Sequence, residues 1–336
     1  MNKLNVLYNI DNNYVDIVMA SMISLIENGL FDEVDFHIIT ANFDSSCYRK
    51  IERLYEYYSN INIFYYDLEK FPIDDYNINS WRGTQISNSL LFFQSIIGSR
   101  INSMNNLLYL DGDTIVVNPL VNIEEYNDGI YLAKDVGLMK YNKNILGIMN
   151  DYYNSGVIYI DIPYWIENNC EKKIKNFLLN NNASKLIHPD QDVINISLNQ
   201  DLRNLPLSYN YPMYFDLFND REKRLFFNKN RNISYEEATK QDIVPNILHA
   251  YGAFGVTPWS NNRVNPYNDI FRKYIYQANS DYSLKELNFI RRVISYNESF
   301  FKATLIIKGY TPEKINNKVK ELLKKRFILI LFFFIF

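Results

Sequence analysis

The sequence predicts an α/β fold: an open, mixed and mostly parallel sheet with covering helices, continued by a C-terminal helical extension. Three observations carry this expectation. Strand-like and helix-like segments alternate through the first third of the chain. The apolar run Leu107 to Leu110 reads as a buried strand and ends abruptly in two acids, Asp111 and Asp113. Of the 336 residues, 47% are hydrophobic, enough for a substantial core.

Leu4 to Ile10 reads as the first strand, followed by the polar loop Asp11-Asn12-Asn13-Tyr14. Val15 to Ile26 carries apolar residues at helical spacing. Val34 to Thr40 is a second strand, and Ser45 to Tyr58 a helix capped by Asp44 or Ser45. Ile61 to Tyr66 is a third strand. A polar span with Pro72 leads to a helix near Ile86 to Ile97, and then to the acid-bearing strand and Ile115 to Val117. In such a sheet the loop after the first strand lies at the edge that carries Asp111 and Asp113. Asn9, Asp11 and Asn13 can there hydrogen-bond a base and ribose. They equally suit loop solvation and helix capping, and the sequence leaves both readings open.

The second half is less regular. Gly129 to Ala133 is a strand, and Asn154-Ser155-Gly156 is a polar corner feeding a strand that ends at Asp161. Pro163-Tyr164-Trp165 opens a helix expected to run to about Leu179. In His188 to Asn195, Pro189 and the acids read as a helix start, with Asp190 or Asp192 available as caps. The span from Asp201 to Gln241 mixes strands with charged loop. Pro245 to His249 is a short strand ending in His249. The loop Ala250 to Gly255 follows, where Gly252 lets the backbone approach a phosphate closely. Beyond Trp259 the pattern turns helical and charged.

The Asp-Gly-Asp stretch carries the chemistry. Side chains two apart on an extended segment point to one side, so both acids can face one point while Gly112 admits a ligand or ion. Two carboxylates beside a buried strand repel each other and lose solvation. A divalent cation removes that penalty, and Mg²⁺ or Mn²⁺ prefers oxygen ligands. The plain alternative is a turn, since Asp and Gly are turn residues; the apolar strands on both sides weigh against it. An EF-hand is excluded, because Asn122 stands where its closing Glu is required.

A net charge of −3 with 22% charged residues argues against a nucleic-acid binder. The aromatic content, 28 Tyr and 22 Phe, suits either a core or sugar-stacking platforms. Cys47 and Cys170 make no disulfide framework, so a reducing cytosol is expected, and no Cys/His spacing suits a zinc finger. The N-terminal apolar run is too broken for a signal peptide, and no stretch reaches the roughly 20 apolar residues of a membrane span. The tail is distinctive: Lys324-Lys325-Arg326 precedes an unbroken apolar run, Phe327 to Phe336. At ~1.5 Å per residue it covers only about half of a ~30 Å hydrocarbon layer, which leaves an interfacial anchor on anionic lipid or a packed terminal element.

Five stretches then fall together in order: Asn9 to Tyr14, Tyr109-Leu-Asp-Gly-Asp113, Asn154-Ser-Gly-Val157, Asp190-Gln-Asp-Val-Ile-Asn195, and His249 to Trp259. In type and order this set resembles the glycosyltransferase family 8 enzymes, over roughly residues 4 to 260. The resemblance implies a GT-A catalytic domain over residues 1–260, with residues 261–336 as the helical extension and membrane-association tail. It implies a retaining hexosyltransferase that uses a UDP-hexose and Mn²⁺ (or Mg²⁺), acting on a glycan or lipid-linked acceptor at the inner membrane face. By the same resemblance Asp111, Asp113 and His249 match the metal ligands, and Asn9, Asp11 and Asn13 the uracil and ribose contacts. Asn154, Asp190 and Gln191 match residues of the sugar pocket, with Gln191 under the reacting face and Asp190 on sugar hydroxyls. Two positions depart from the pattern. Thr257 stands where a diphosphate-binding Lys is usual, and the helix before the acid pair lacks an Arg for which Arg82 is the substitute. These departures motivate the alternative of a sugar-nucleotide-binding protein with little or no catalysis; a lectin-like module ranks behind it.

Overall fold

The computed structural model describes residues 2–80, 83–121, 123–136, 146–148, 151–217, 220–227, 233–239, 243–250, 257–259 and 266–284. They fall in two compact units. The first comprises Met1–Asp135, Ile148–Tyr211 and Ile243–His249, and the second Val136–Gly147, Pro212–Asp242 and Ala250–Phe336.

The first unit is built on β1 (Lys3–Asp11), β2 (Glu33–Ala41), β3 (Ile61–Asp67), β4 (Asn106–Leu110), β6 (Ile130–Lys134), β7 (Tyr153–Asp161) and β8 (Leu202–Asn204), in the order β3-β2-β1-β4-β7-β6-β8. β1, β2, β3 and β4 run parallel, β7 is antiparallel to β4 and β6, and β8 is parallel to β6, so the sheet is mixed. The chain steps outward from β1 to β3 and returns to the other side of β1 as β4. That reversal opens a crevice at the carboxyl ends of β1 and β4, where ligands bind in such sheets. A small second sheet contains β5 (Thr114–Val116), β9 (Tyr211–Pro212) and β10 (Ile247–His249), with β10 antiparallel to β5.

α1 (Val15–Asn28) crosses from β1 to β2 with its apolar side chains buried. Its two interior serines are also buried, which an apolar helix face does not predict. Ser21 Oγ lies 2.8 Å from Tyr8 Oη and 3.0 Å from Thr114 Oγ1, and Ser24 Oγ accepts from Val116 N at 2.9 Å. The serines thus fasten β5 to α1 and hold the chain just after the acid pair.

Several elements differ from the sequence expectation for local reasons. The helix from Ser45 is α-helical only to Glu52 (α2, Ser45–Glu52) and continues as a 3-10 turn over Arg53–Glu56. Asp44 stands at its N-cap but makes no side-chain cap; its carboxylate accepts from Asn12 Nδ2 at 2.9 Å. The segment before the acids is a 3-10 helix, Ser87–Phe92, running into α3 (Phe93–Ile97), with Ser89 Oγ donating to the Ile86 carbonyl at 2.7 Å. The helix expected from Pro163 to Leu179 is two, α4 (Ile162–Glu167) and α5 (Cys170–Asn180), because Asn169 takes a left-handed conformation at φ 52°. α6 (Pro189–Ser197) follows as expected.

In the second unit, the span read as strands and charged loop contains α7 (Asp220–Phe227) and α8 (Tyr235–Thr239). α8 opens with a reciprocal cap: Ser234 N donates to Glu237 Oε2 at 2.8 Å and Glu237 N to Ser234 Oγ at 3.0 Å. α9 (Asn268–Ala278) supplies the helical character expected beyond Trp259, and Arg272 Nε donates to the Pro258 carbonyl at 3.3 Å. Among the described residues no helix is long and apolar enough to cross a membrane. Arg82, Gly252 and the basic, apolar tail through Phe336 lie outside the described residues.

Candidate active site

Asp111 and Asp113 converge by a turn. Thr114 N and Thr114 Oγ1 both bond to the Asp111 carbonyl, at 3.1 and 2.8 Å, closing Asp111-Gly112-Asp113-Thr114. The turn reading and the acid-pair reading are therefore the same structure, and strand alternation is not what brings the carboxylates together. Gly112 is required by close packing: a Cβ there would lie 2.6 Å from Val18 Cγ2 and 3.6 Å from Tyr14 Cδ1, on the incoming end of α1. Tyr109, two residues before Asp111 on β4, donates its hydroxyl to Asp111 Oδ1 at 2.6 Å.

His249 arrives from the second sheet. In the β5–β10 ladder it pairs with Thr114, which sets its ring beside the turn. Its Nε2 lies 3.2 Å from Asp113 Oδ1 and 3.5 Å from Asp111 Oδ2. One ligand atom from each of the three residues lies within 4.8 Å of the other two. The ring is buried, at 1% exposure, whereas the Asp111 side chain is 39% exposed, so a cation can enter from that side. Burial alone would lower the His249 pKa, but the Asp113 and Asp111 carboxylates outweigh it and hold it at about 9. Without a cation the imidazolium neutralises part of the acid pair. A bound divalent ion would replace that proton, and two carboxylates with one imidazole nitrogen form a donor set that can hold a divalent cation.

The ring packs on Gly156. β4 and β7 pair through Leu110 and Val157, and the next ladder bond is Asp111 N to the Gly156 carbonyl at 2.8 Å. A Cβ on Gly156 would stand 2.0 Å from His249 Cε1, 2.7 Å from Nδ1 and 2.9 Å from Asp111 Oδ2. Only glycine leaves room for the histidine and the acid together.

β7 and α6 bring in the remaining polar residues. Gln191 is buried; its Oε1 accepts from Asn154 Nδ2 and from Ser155 N, each at 3.1 Å. Its Nε2 donates to Tyr152 Oη at 3.1 Å and to Asp135 Oδ2 at 3.4 Å. Asp190 Oδ2 accepts from Ser155 Oγ at 2.9 Å. Desolvation of its carboxyl, reinforced by the Asp111 charge, pushes the Asp190 pKa up to about 6. Asp192 fastens the start of α6, with its Oδ2 accepting from His188 N at 3.0 Å and Ile187 N at 3.2 Å. Asn195 ties α6 to the start of β7, accepting from Tyr153 N at 2.7 Å and donating to the Tyr153 carbonyl at 2.8 Å.

On the β1 side, Leu7 pairs with Tyr109 in the β1–β4 ladder, so Asn9 lies on the strand beside the acids. Both polar atoms of the Asn9 side chain are buried with no hydrogen-bond partner among the described residues, a cost that a hydrogen-bonding ligand would remove. Asp11 is engaged locally, accepting from Asn13 N at 2.9 Å, and Asn13 is exposed. This bond shapes the loop after β1. Thr257 belongs to the second unit.

Residues 5–262 match the model of glycosyl transferase family 8. The chain belongs to this family. Among its relatives are the lipopolysaccharide 1,2-glucosyltransferase of Escherichia coli K12, 27% identical over 77% of this chain and 80% of that protein, and the lipopolysaccharide 1,3-galactosyltransferase of Salmonella typhimurium, 25% identical over the same shares. Among solved structures, the galactosyltransferase LgtC with donor and acceptor sugar analogues superposes with a TM-score of 0.63. It is 17% identical and is covered over 82% of this chain and 96% of that one. This likeness establishes the GT-A fold, and the family makes the protein a glycosyltransferase.

Several residues of this candidate site are not singled out by the sequence. Gly156 was visible only as part of the Asn154-Ser-Gly corner. Tyr109 had a signal, because residues two apart on a strand share a side. Asp135, Tyr152 and Asn210 had none. Asn210, in the stretch read as strands and charged loop, lies 2.8 Å through Oδ1 from His249 Nδ1 and donates through Nδ2 to Asn154 Oδ1 at 2.8 Å.

Proposed function

We propose that this family 8 enzyme moves galactose or glucose from a UDP-sugar to a glycan or lipid-linked acceptor of the lipopolysaccharide type, in a metal-dependent reaction with retention of configuration. The observation that carries the reading is the convergence of Asp111, Asp113 and His249 ligand atoms within 4.8 Å. The Gln191–Asn154 amide pair adjoins this centre through Asn210, and the unpartnered Asn9 amide lies on β1. Asp111, Asp113 and His249 would hold the cation. Once bound, it supplies Lewis-acid stabilisation of the departing diphosphate. Asn9, with Asp11 and Asn13 in the adjoining loop, recognises the base and ribose. Asp190 and Asn154 bind sugar hydroxyls, and Gln191 presents its amide to the reacting face. Retention and the choice of UDP rest on the family resemblance.

In this reading residues 1–260 form the catalytic domain, and the Lys324–Phe336 tail of the C-terminal extension brings it to the cytoplasmic face of the membrane, where a lipid-linked acceptor is presented. The test is a donor panel with Mn²⁺, read by UDP release. Turnover of UDP-galactose or UDP-glucose, with transfer to a lipopolysaccharide-core acceptor, supports the reading. Tight UDP-hexose binding with neither transfer nor slow hydrolysis would instead favour the non-catalytic alternative that Thr257 motivates.

A further inference from the structure

We propose that Asn210 is a positioning residue that joins the metal-facing His249 to the sugar-facing pair Asn154 and Gln191, an inference that rests on the function proposed above. Asn210 is buried at 2% exposure at the end of the 3-10 turn Leu207–Asn210. It lies between the two halves of the site. A side-chain amide has one accepting and one donating end, and which end faces which neighbour follows from groups that cannot flip. Two backbone N–H groups supply that reference. Gly156 N donates to Asn154 Oδ1 at 3.0 Å, which fixes the Asn154 oxygen. Ser155 N donates to Gln191 Oε1 at 3.1 Å, which fixes the Gln191 oxygen. With the Asn154 oxygen set, the end of Asn210 that faces it at 2.8 Å is the donor. The other end, 2.8 Å from His249 Nδ1, is therefore the acceptor.

The consequence reaches the metal site. An acceptor at Nδ1 keeps the proton on that nitrogen and leaves the Nε2 lone pair for the space between Asp111 and Asp113. The same amide holds the Asn154 oxygen, whose own Nδ2 donates to Gln191 Oε1 at 3.1 Å and to Asp135 Oδ2 at 3.2 Å. Asn210 thus has two separable tasks: its oxygen orients the ligating histidine, and its nitrogen orients the sugar pocket.

Two substitutions separate them. Asn210→Leu removes both ends at similar volume. Asn210→Asp keeps an acceptor for His249 but presents an oxygen to the Asn154 oxygen. Mn²⁺ binding is measured in the presence of UDP by the signal of the free ion, beside the kcat of donor hydrolysis and a melting curve. Asn210→Leu should lose about 10–100-fold in Mn²⁺ affinity, the usual cost of removing an outer-shell partner of a ligating histidine. Asn210→Asp should bind Mn²⁺ as well as the native protein or better, since a carboxylate behind the ring strengthens the ligand, while its kcat falls about tenfold or more. A purely structural role would lower both quantities in both variants. A folded Asn210→Leu protein that binds Mn²⁺ like the native one overturns the proposal. So does an Asn210→Asp protein that loses Mn²⁺ affinity, and this second result decides the matter if the Leu variant does not fold. If the native protein itself fails to bind Mn²⁺ with UDP, the metal-site reading falls and this inference with it. If the native protein binds and the variants do not separate, only the role of Asn210 falls.

Discussion

Gly156→Ala should disable the site while leaving the fold intact. The added methyl carbon would stand 2.0 Å from His249 Cε1 and 2.9 Å from Asp111 Oδ2, where ordinary contact begins at 3.4 Å. The ring must therefore withdraw by more than an ångström. It cannot slide along β7, because the β10–β5 ladder fixes its backbone and Asn210 holds Nδ1. Metal ligand distances tolerate only about 0.2 Å, and a displacement of roughly 1 Å in a catalytic group costs about 100-fold in rate. On the stability side the fold survives with a moderate loss. Gly156 has no positive φ, so alanine is conformationally acceptable there and gains about 0.4–1 kcal/mol by restricting the unfolded chain. Overpacking costs about 1–3 kcal/mol, so the net change runs from about neutral to a loss of about 2 kcal/mol, still less than the ~5–15 kcal/mol that holds a domain folded. The assay is Mn²⁺-dependent UDP release beside a melting curve. The reasoning predicts a melting temperature within a few degrees of native and a loss of activity of about 100-fold. A folded Gly156→Ala enzyme with near-native turnover would show that His249 does not need its seat on β7.

Three further outcomes follow from the same geometry. His249 titrates at about 9 in the metal-free fold, above its ordinary 6.5, so its contribution to stability is full below pH 6.5 and is lost as pH rises through about 9. Mn²⁺ must displace this proton. Titration calorimetry in buffers of different ionisation heat, near pH 7.5, should register close to one proton released per ion, and the affinity should strengthen as the pH rises toward 9; a pH-independent affinity would contradict this. The Asp190 carboxyl, raised to about 6 from 3.8, is a group the folded chain prefers protonated, so it costs stability as pH rises through that range. Asp190→Asn should accordingly raise the melting temperature at pH 8 and lower transfer, and a lowered melting temperature would show that the carboxylate is structurally required. A chain ending at Glu321 should stay in the supernatant with anionic vesicles at low salt and keep its donor hydrolysis, whereas the full chain pellets; equal partitioning would remove the membrane role of the tail.

The parts of the site that the sequence makes legible are those written in one short stretch. β1 to β4 stand out because an apolar run bounded by polar residues leaves little choice of structure. The acids stand out because charge beside a buried strand has few explanations. How the acids meet was less legible: Asp and Gly suit a turn and a ligand site alike, and in this fold the turn makes the site. Asn210 was hidden for a different reason. Its partners lie 39 and 56 residues away, and nothing in its own neighbourhood distinguishes it from any other asparagine in this Asn-rich chain. The break between α4 and α5 depends on Asn169 adopting a left-handed conformation, which asparagine permits without requiring. α8 had a readable signal in Ser234-x-x-Glu237, obscured by the charged residues around it.

The central claim is that Asp111, Asp113 and His249 act together as one metal centre. It is tested most directly by measuring Mn²⁺ affinity in the presence of UDP for the native chain and for Asp113→Asn. The substitution replaces a carboxylate, whose Oδ1 lies 3.2 Å from His249 Nε2, by a neutral amide, and removes one of the charges that hold the His249 pKa up. The account predicts a folded protein with a modestly lower melting temperature, from the lost Asp113–His249 attraction, together with loss of Mn²⁺ binding and loss of transfer equal to that of native enzyme in EDTA. An Asp113→Asn protein that binds Mn²⁺ as the native chain does, or native enzyme that transfers sugar unimpaired in EDTA, would contradict it.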